Sequence, residues 1–389
     1  MEKLDKPWNN IKFYKCNNIV SFKLESNTIQ HVQSEEEIIL HTYRNRINEY
    51  ESNLPSFKNW EYYKKVVNPY ELVYTQKKYD NFPESIYCLK PLSRSYFKMI
   101  EILDLTQFFN DINNDIKSAH VCEGPGGFIE ALFDEASKKC KKIRTSFAMT
   151  LKSRQTNVPG WKRAATFLKK NRCIRILYGE DDTGNIMKPE NQQYFIDHSN
   201  ISGKMNIFTA DGGFDFSYDY ENQESLIFPL LVSSTKIGFE VLKKGGVFIL
   251  KFFDFYHKYT LDLLYFLSCH FTEWTLYKPA TSRPCNPEQY FIGKGFLGCT
   301  DEVLDVMRLW CSILENKPMN SLLHETSEEY EKLIGQIRQN SFKSQTEYLE
   351  RVFNMIDSND NDAIQNCLKN NEISSHEWCV RFKVPTKLN

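Results

Sequence analysis

A chain of 389 residues can bury one large core or two modest ones, and 41% hydrophobic with 25% charged residues excludes a disordered polyelectrolyte. Lys+Arg 49 against Asp+Glu 50 leaves a net charge of −1, which excludes an indiscriminate polyanion binder. Any positive field that meets nucleic acid must therefore be local. Eleven cysteines without a CxxC pair or a zinc-type spacing read as reduced thiols, as expected of an intracellular protein. The N-terminal "MEKLDKPWNNIKFYK" has no apolar leader region, and no later apolar run is long enough to span a bilayer. The 28 Phe and 21 Tyr are either core filler or in part stacking surfaces, and composition does not separate the two.

No internal repeat is present. Residues 1–85 form an N-terminal extension, polar and aromatic, with a helix expected over "SEEEIILHTYRNRINEYE" capped by Ser34. Residues 86–298 alternate strand-length apolar runs with longer helical patterns, the mark of a parallel sheet covered by helices. Strands are predicted at "SAHVCE", "IRTSFAMTL", "CIRILYG", "MNIFTAD", "GGVFILKFF", "TEWTLYKP" and "EQYFIGKG". The helices between them include "GFIEALFDEASKK", "QESLIFPLLVSSTKIGFEVLKK" and "YTLDLLYFLSCHF". The last two strands are joined by a loop alone, so an α/β fold ending in an antiparallel pair is expected. Residues 299–389 read as a helical C-terminal extension ("DEVLDVMRLWCSILEN", "EEYEKLIGQIRQNSFKSQTEYLERVFNMI") that closes in a polar tail.

In such a sheet, ligands sit at the carboxyl ends of the strands. "HVCEGPGGFIEAL" places Gly124, Pro125, Gly126 and Gly127 at one such end, just before a helix. Glycine permits close approach and positive φ, and a helix start offers free N–H groups. The loop lacks both the GxGxxG spacing and the Walker lysine–hydroxyl pair, so nicotinamide and nucleoside triphosphate lose weight. Asp211 in "FTADGGFDF" ends another strand, and Glu288 opens the last one. Lys98 and Arg94 fall one turn apart on one helix face. Taken singly, Lys98 reads equally as a solvated residue, Glu288 as a loop carboxylate and Asp211 as a cap. Lys251 in "FILKFF" differs, because an ionisable group in so apolar a strand is costly unless paired. Two lysines and two acids converging there could satisfy each other and hold a hydroxyl for attack.

"SRSYFKMIEI", "EGPGGF", "TADGG", "FILKFF" and "SRPCNPEQY" occur in the order found in FtsJ-type S-adenosylmethionine-dependent ribose 2'-O-methyltransferases, which the chain resembles. "TADGGFD", "GEDDTGNIMKPEN" and "KPATSRPCNPEQY" are similar to the Adrift-type branch, the mRNA cap methyltransferases. The resemblance covers about residues 65–298 and implies a Rossmann-like fold with a mostly parallel seven-stranded sheet and an antiparallel last strand. It implies a catalytic tetrad of Lys98, Asp211, Lys251 and Glu288. Around the cofactor it implies Glu123, Gly124, Pro125, Gly126, Gly127, Phe128, Thr150, Asp182, Asn185 and Asp211. Asn185 stands where the family has Asp, and His120 where many relatives open the loop with Asp. Pro287 replaces a small polar residue beside Glu288. "HxCExPG" is similar to the branch acting on the second transcribed nucleotide, whereas "GPGGF" and "SRPxN" resemble the first-nucleotide branch.

A ribose hydroxyl is a poor nucleophile at neutral pH, so the enzyme has to orient it and favour its deprotonation. Lys251 is expected to do so as base or stabiliser, with its pKa lowered by burial and by Lys98. No metal is required. Capped RNA is the implied partner, with Tyr70, Arg94, Ser282 and Arg283 as its contacts and Tyr70 as part of a cap pocket. "KKCKKIR" (residues 138–144) reads as a guide for RNA or import, or as a solvated helix end. The C-terminal helices are a candidate protein-partner surface. The expected location is the nucleus, the cytoplasm, or a cytoplasmic factory if the chain is viral. Rival readings are a methyltransferase of ribosomal or transfer RNA, and a non-catalytic RNA-binding or scaffold subunit with this fold.

Overall fold

The computed structural model describes residues 6–9, 11–17, 23–25, 33–75, 82–110, 112, 114–152, 158–213, 222–314, 321–323 and 326–387. The first elements are β1 (Tyr14–Lys15), β2 (Lys23–Glu25), α1 (Glu35–Asn53), α2 (Trp60–Val66), α3 (Ser95–Thr106), β3 (Asp115–Val121) and α4 (Gly127–Lys138). Then come β4 (Lys142–Met149), α5 (Ala165–Lys170), β5 (Ile174–Leu177), α6 (Pro189–Asn200), β6 (Met205–Ala210), α7 (Gln223–Val241) and β7 (Leu242–Phe252). The last are α8 (Lys258–Ser268), β8 (Phe271–Tyr277), β9 (Gln289–Phe296), α9 (Asp301–Leu314), β10 (Ser321–Leu323), α10 (Glu328–Ser358) and α11 (Asn361–Arg381).

Two compact units form. One comprises Met1–His31, Ser95–Lys278 and Glu288–Ser327; the other comprises Val32–Arg94, Pro279–Pro287 and Glu328–Asn389. The first unit is built on a sheet in the order β1-β8-β9-β7-β6-β3-β4-β5. Strands β5, β4, β3, β6 and β7 run parallel, and β9 lies antiparallel between β7 and β8. All seven expected strands are present with the expected reversal. The eighth, β1, pairs Tyr14 with Trp274 and Lys15 with Glu273 at the sheet edge. Two residues carry no readable period, so the sequence gives no sign of this strand.

Strand β6 is buried at every position, as a parallel strand covered on both faces must be. Phe208 of β6 and Phe248 of β7 stack at 5.3 Å in the core. From β3 the chain moves outward to β4 and β5, then returns to the other side of β3 for β6 and β7. The reversal therefore lies between β3 and β6, where a doubly wound sheet opens a crevice at its carboxyl ends.

The second unit is helical. Ser34 Oγ accepts from Glu37 N–H at 3.3 Å and caps α1, as expected. The ring of Phe353 on α10 gathers Tyr50 (4.6 Å), Trp60 (5.5 Å) and the Arg46 guanidinium (4.7 Å). The polar tail expected at the C-terminus is instead helix α11. Asp360 caps its N-terminus, Ile364, Leu368 and Trp378 are buried, and Asn371 Nδ2 donates to the Val66 carbonyl at 2.6 Å. So few apolar positions are a weak periodic signal, and packing decides the outcome. Among the described residues, no helix is long and apolar enough to cross a membrane.

Candidate active site

The loops after β3, β4 and β5 interlock. Gly126 adopts φ +105° and caps α4, a left-handed conformation that requires glycine. A Cβ on Gly124 would meet the Pro159 carbonyl at 2.4 Å, so this glycine admits the chain's own backbone. Gly124 N–H donates to Thr150 Oγ1 at 3.2 Å. Gly184, with φ +71°, lies against the Thr150 carbonyl, where a Cβ would stand 2.0 Å away. Lys152 N–H donates to the Thr183 carbonyl at 2.7 Å, and Lys152 Nζ pairs with exposed Asp182 at 2.5 Å.

Glu123 and Asn185, expected as cofactor contacts, each accept a hydrogen bond from the chain's own backbone. The Glu123 carboxylate is buried, accepts from Phe128 N–H at 2.8 Å and so caps the first turn of α4. Burial first, and Asp211 second, push its pKa well above the usual carboxylate range. Asn185 Oδ1 accepts from Met187 N–H at 3.0 Å and closes its own turn. Phe128 is fully buried, its ring 5.7 Å from Tyr290. His120 is buried with Nδ1 2.7 Å from Thr209 Oγ1, and burial pulls its pKa down to about 3.

At the carboxyl ends of β6 and β7, the two lysines and two acids come together. Lys98, in the first turn of α3, pairs with Glu288 Oε1 at 2.5 Å. Lys251 Nζ lies 3.2 Å from Asp211 Oδ1 and 3.9 Å from Glu288 Oε2, and it donates to the Asp211 carbonyl at 3.0 Å. Burial by itself would raise the Glu288 pKa, but Lys98 and then Lys251 hold it down to about 2. For Lys251, burial works to lower the pKa, yet the carboxylates of Asp211 and Glu288 outweigh it and the net shift is upward. This corrects the expectation of a lowered Lys251: Lys98 is engaged by Glu288, and the nearest charges to Lys251 are negative.

Tyr290 completes the group, and sequence reasoning missed it. Its hydroxyl donates to Asp211 Oδ1 at 2.8 Å, and its ring is fully buried. Register pairs Tyr290 with Lys251 across β7 and β9, so both project from the same face. The two-residue step from Glu288 to Tyr290 was the signal available. Lys278 Nζ also donates to the Glu288 carbonyl at 2.9 Å.

The residues expected to touch RNA lie in the second unit, where the structure gives them internal partners. Glu71, fully buried, receives Arg283 in a fork (3.1 and 3.2 Å) and Arg94 at 3.2 Å. Asn68 and Thr75 donate to it at 2.7 and 3.0 Å, and Arg283 also reaches Glu61 at 3.2 Å. Burial would raise the Glu71 pKa, but Arg94 and then Arg283 hold it down to about 2. Both guanidinium groups thus have carboxylate partners inside the unit. Tyr70 is 6% exposed and belongs to the core, while Ser282 is buried in a turn onto the Pro279 carbonyl. Of the aromatic and basic run that includes Tyr70, residues 76–78 lie outside the described residues.

A doubly wound sheet with one reversed strand, a glycine loop and a lysine–carboxylate cluster at its switch point defines a Rossmann-like methyltransferase fold. A family model described as FtsJ-like methyltransferase matches residues 91–296, and the chain belongs to that family. It is 30% identical over 268 residues to cap-specific mRNA (nucleoside-2'-O-)-methyltransferase 1 of Dictyostelium discoideum, covering 62% of this chain and 34% of that protein. It is 33% identical over 196 residues to the human protein of the same name, covering 49% and 22%. The chain thus spans about a third or less of the length of these relatives. Among solved structures, human methyltransferase-like protein 13 is similar at 12% identity and a TM-score of 0.33, covering 63% of this chain and 99% of that one.

S-adenosylmethionine is the cofactor of this family. The residues present fit it. A Cβ on Gly213 would come within 3.3 Å of Lys251 Nζ, so the bare backbone there keeps the space beside the cluster open. Asp182 and Asp211 follow β5 and β6, and acids at those strand ends suit a cationic sulfonium nucleoside.

Proposed function

We propose that this chain is a cap-specific mRNA 2'-O-ribose methyltransferase and that Lys98, Asp211, Lys251 and Glu288 are its catalytic residues. The observation that carries this reading is the cluster itself, with Lys98–Glu288 at 2.5 Å and Lys251–Asp211 at 3.2 Å. The names of the relatives support a capped RNA as substrate. When bound, S-adenosylmethionine supplies a methyl group already activated by its sulfonium charge. The chain's own residues have to place and activate the ribose hydroxyl.

An ammonium has three donors. One N–H of Lys251 goes to the Asp211 carbonyl, and the Asp211 carboxylate lies beside it. Glu288 at 3.9 Å is beyond hydrogen-bond length, which leaves donor capacity for a 2'-oxygen. Because Lys251 is held in its charged form, its role is to orient that oxygen and stabilise the negative charge that develops on it. The hydroxyl proton leaves to water as the oxygen takes the methyl group from the sulfonium. Asp211 aims Lys251, Tyr290 aims Asp211, and Lys98 keeps Glu288 ionised. Glycines Gly124 to Gly127, with Thr150 and Asp182, belong to the cofactor side.

The test uses labelled S-adenosylmethionine and short capped RNAs lacking the 2'-hydroxyl at either the first or the second nucleotide. Transfer that needs the cap and disappears with one hydroxyl is expected. Equal transfer to uncapped RNA would move the reading to ribosomal or transfer RNA, and cofactor binding without transfer would move it to a non-catalytic subunit.

A further inference from the structure

Residues 136–179 hold thirteen Lys and Arg and not one Asp or Glu, in a chain whose totals, Lys+Arg 49 and Asp+Glu 50, are in near balance. Thirteen of the 49 basic residues are thus concentrated in 44 positions, and the remainder of the chain is strongly acidic. The fold places the described part of this stretch, residues 136–152 and 158–179, in one region. It runs from the end of α4 through β4 and α5 to β5, the edge strand of the sheet. Helices α4 and α5 are neighbours, with Phe133 and Phe167 in edge contact at 5.7 Å.

Lys139, Lys142, Arg163, Lys169, Lys170 and Arg172 are all exposed, and none forms an ion pair among the described residues. Lys138, Arg144 and Lys152 have carboxylate partners at the surface, contributed by residues outside the stretch. Lys152 follows the carboxyl end of β4, on the site's side of the sheet, and Lys142 opens the strand at its other end. Thr145–Met149 are buried, so the exposed cations of β4 fall at its two ends, about 26 Å apart. Lys162 and Arg163 just before α5, with Lys169, Lys170 and Arg172 at its end, continue them as a stripe away from the site.

Charge on an edge strand guards against sheet-to-sheet pairing, and one or two lysines suffice for that. Solubility needs charge of mixed sign. Neither explains twelve described cations of a single sign between the end of α4 and β5. A polyanion does, because each phosphate neutralised releases counterions. We propose that this stripe is an RNA-binding surface that holds phosphates of the transcript beyond the nucleotide being methylated. The inference rests on the reading of the chain as an RNA methyltransferase, and it adds a dependence on RNA length.

The test compares the full chain with the variant Lys169→Glu, Lys170→Glu, Arg172→Glu, and with Lys332→Glu, Lys343→Glu, Lys369→Glu, three exposed lysines of α10 and α11. The second variant carries the same change in net charge. Binding of capped RNAs of about 5 and 30 nucleotides is measured by fluorescence anisotropy across a salt series, with melting curves to confirm the fold. A neutral triple, Lys169→Gln, Lys170→Gln, Arg172→Gln, serves if charge reversal unfolds the protein. The stripe variant is expected to bind the long RNA at least tenfold more weakly. Its salt slope should be smaller by about 2, the share that three neutralised phosphates of a single strand supply. Its affinity for the short RNA is expected to be unchanged, as is the long-RNA affinity of the second variant. Unchanged long-RNA affinity in the stripe variant, or equal weakening in both charge-reversed variants, would overturn the proposal. Should the wild-type chain methylate no RNA, the functional reading fails, while the binding series still decides the stripe.

Discussion

Each unit of the molecule buries a cluster of mixed charge around a glutamate, and the two differ in the choice of cation. Around Glu71 the cations are arginines; around Glu288 they are lysines. Both carboxylates are held at a pKa of about 2. The guanidinium fork of Arg283 satisfies Glu71 with two parallel hydrogen bonds, and Asn68 and Thr75 fill what remains. Such a pair satisfies both oxygens of the buried carboxylate. Around Glu288, Lys98 makes a tight contact while Lys251 stands off at 3.9 Å, with donor capacity to spare. Arginine closes a structural cluster; lysine leaves a reactive one open.

The largest expected effect on stability that sharpens this contrast is at the arginine cluster. Glu71→Ala takes the shared carboxylate from two half-buried guanidinium groups, of which Arg283 keeps Glu61, and should cost roughly 1–3 kcal/mol, read as a lowered urea midpoint. A cost below about 1 kcal/mol would mean that water takes over the carboxylate's role. The corresponding pH experiment follows from the direction of the shifts. Glu71 and Glu288 are depressed from 4.5, so the stability they contribute is present above that pH and is lost as pH falls toward 2. His120 and His270 are held neutral by burial, with pKa values of about 3 and about 4, so their contribution begins to fall already below pH 6.5. Urea midpoints should therefore decline in two stages on acidification, and Glu71→Gln should remove part of the lower one.

How much of this contrast was legible in the sequence depends on the range of the signal. The strands and the helices between them follow from local hydrophobic period, and Lys251 stood out because its strand is so apolar. The cap on α1 was equally plain from Ser34 and the acids after it. The partner of Arg283 was not legible, because it is separated from Glu71 by 212 positions and nothing local marks either as buried. The upward shift of Lys251 was hidden for a related reason: the sequence suggests which groups converge, but the sign depends on distances. Helix α11 was concealed by its sparse apolar positions.

The smallest expected effect concerns the residue that aims the cluster. Tyr290→Phe removes the hydroxyl that donates to Asp211 and leaves the ring in place. A loss of about 1 kcal/mol, about fivefold in kcat with KM for RNA unchanged, is expected. An unchanged kcat would make Tyr290 a core residue only.

Lys251→Ala, assayed for methyl transfer to short capped RNA beside its own melting curve, puts the difference between the two clusters to the most direct test. Removing a donor to developing negative charge should lower kcat by roughly 10²–10³-fold, with the fold retained because Glu288 keeps its contact with Lys98. Normal transfer by Lys251→Ala would contradict the assignment of catalysis to this cluster.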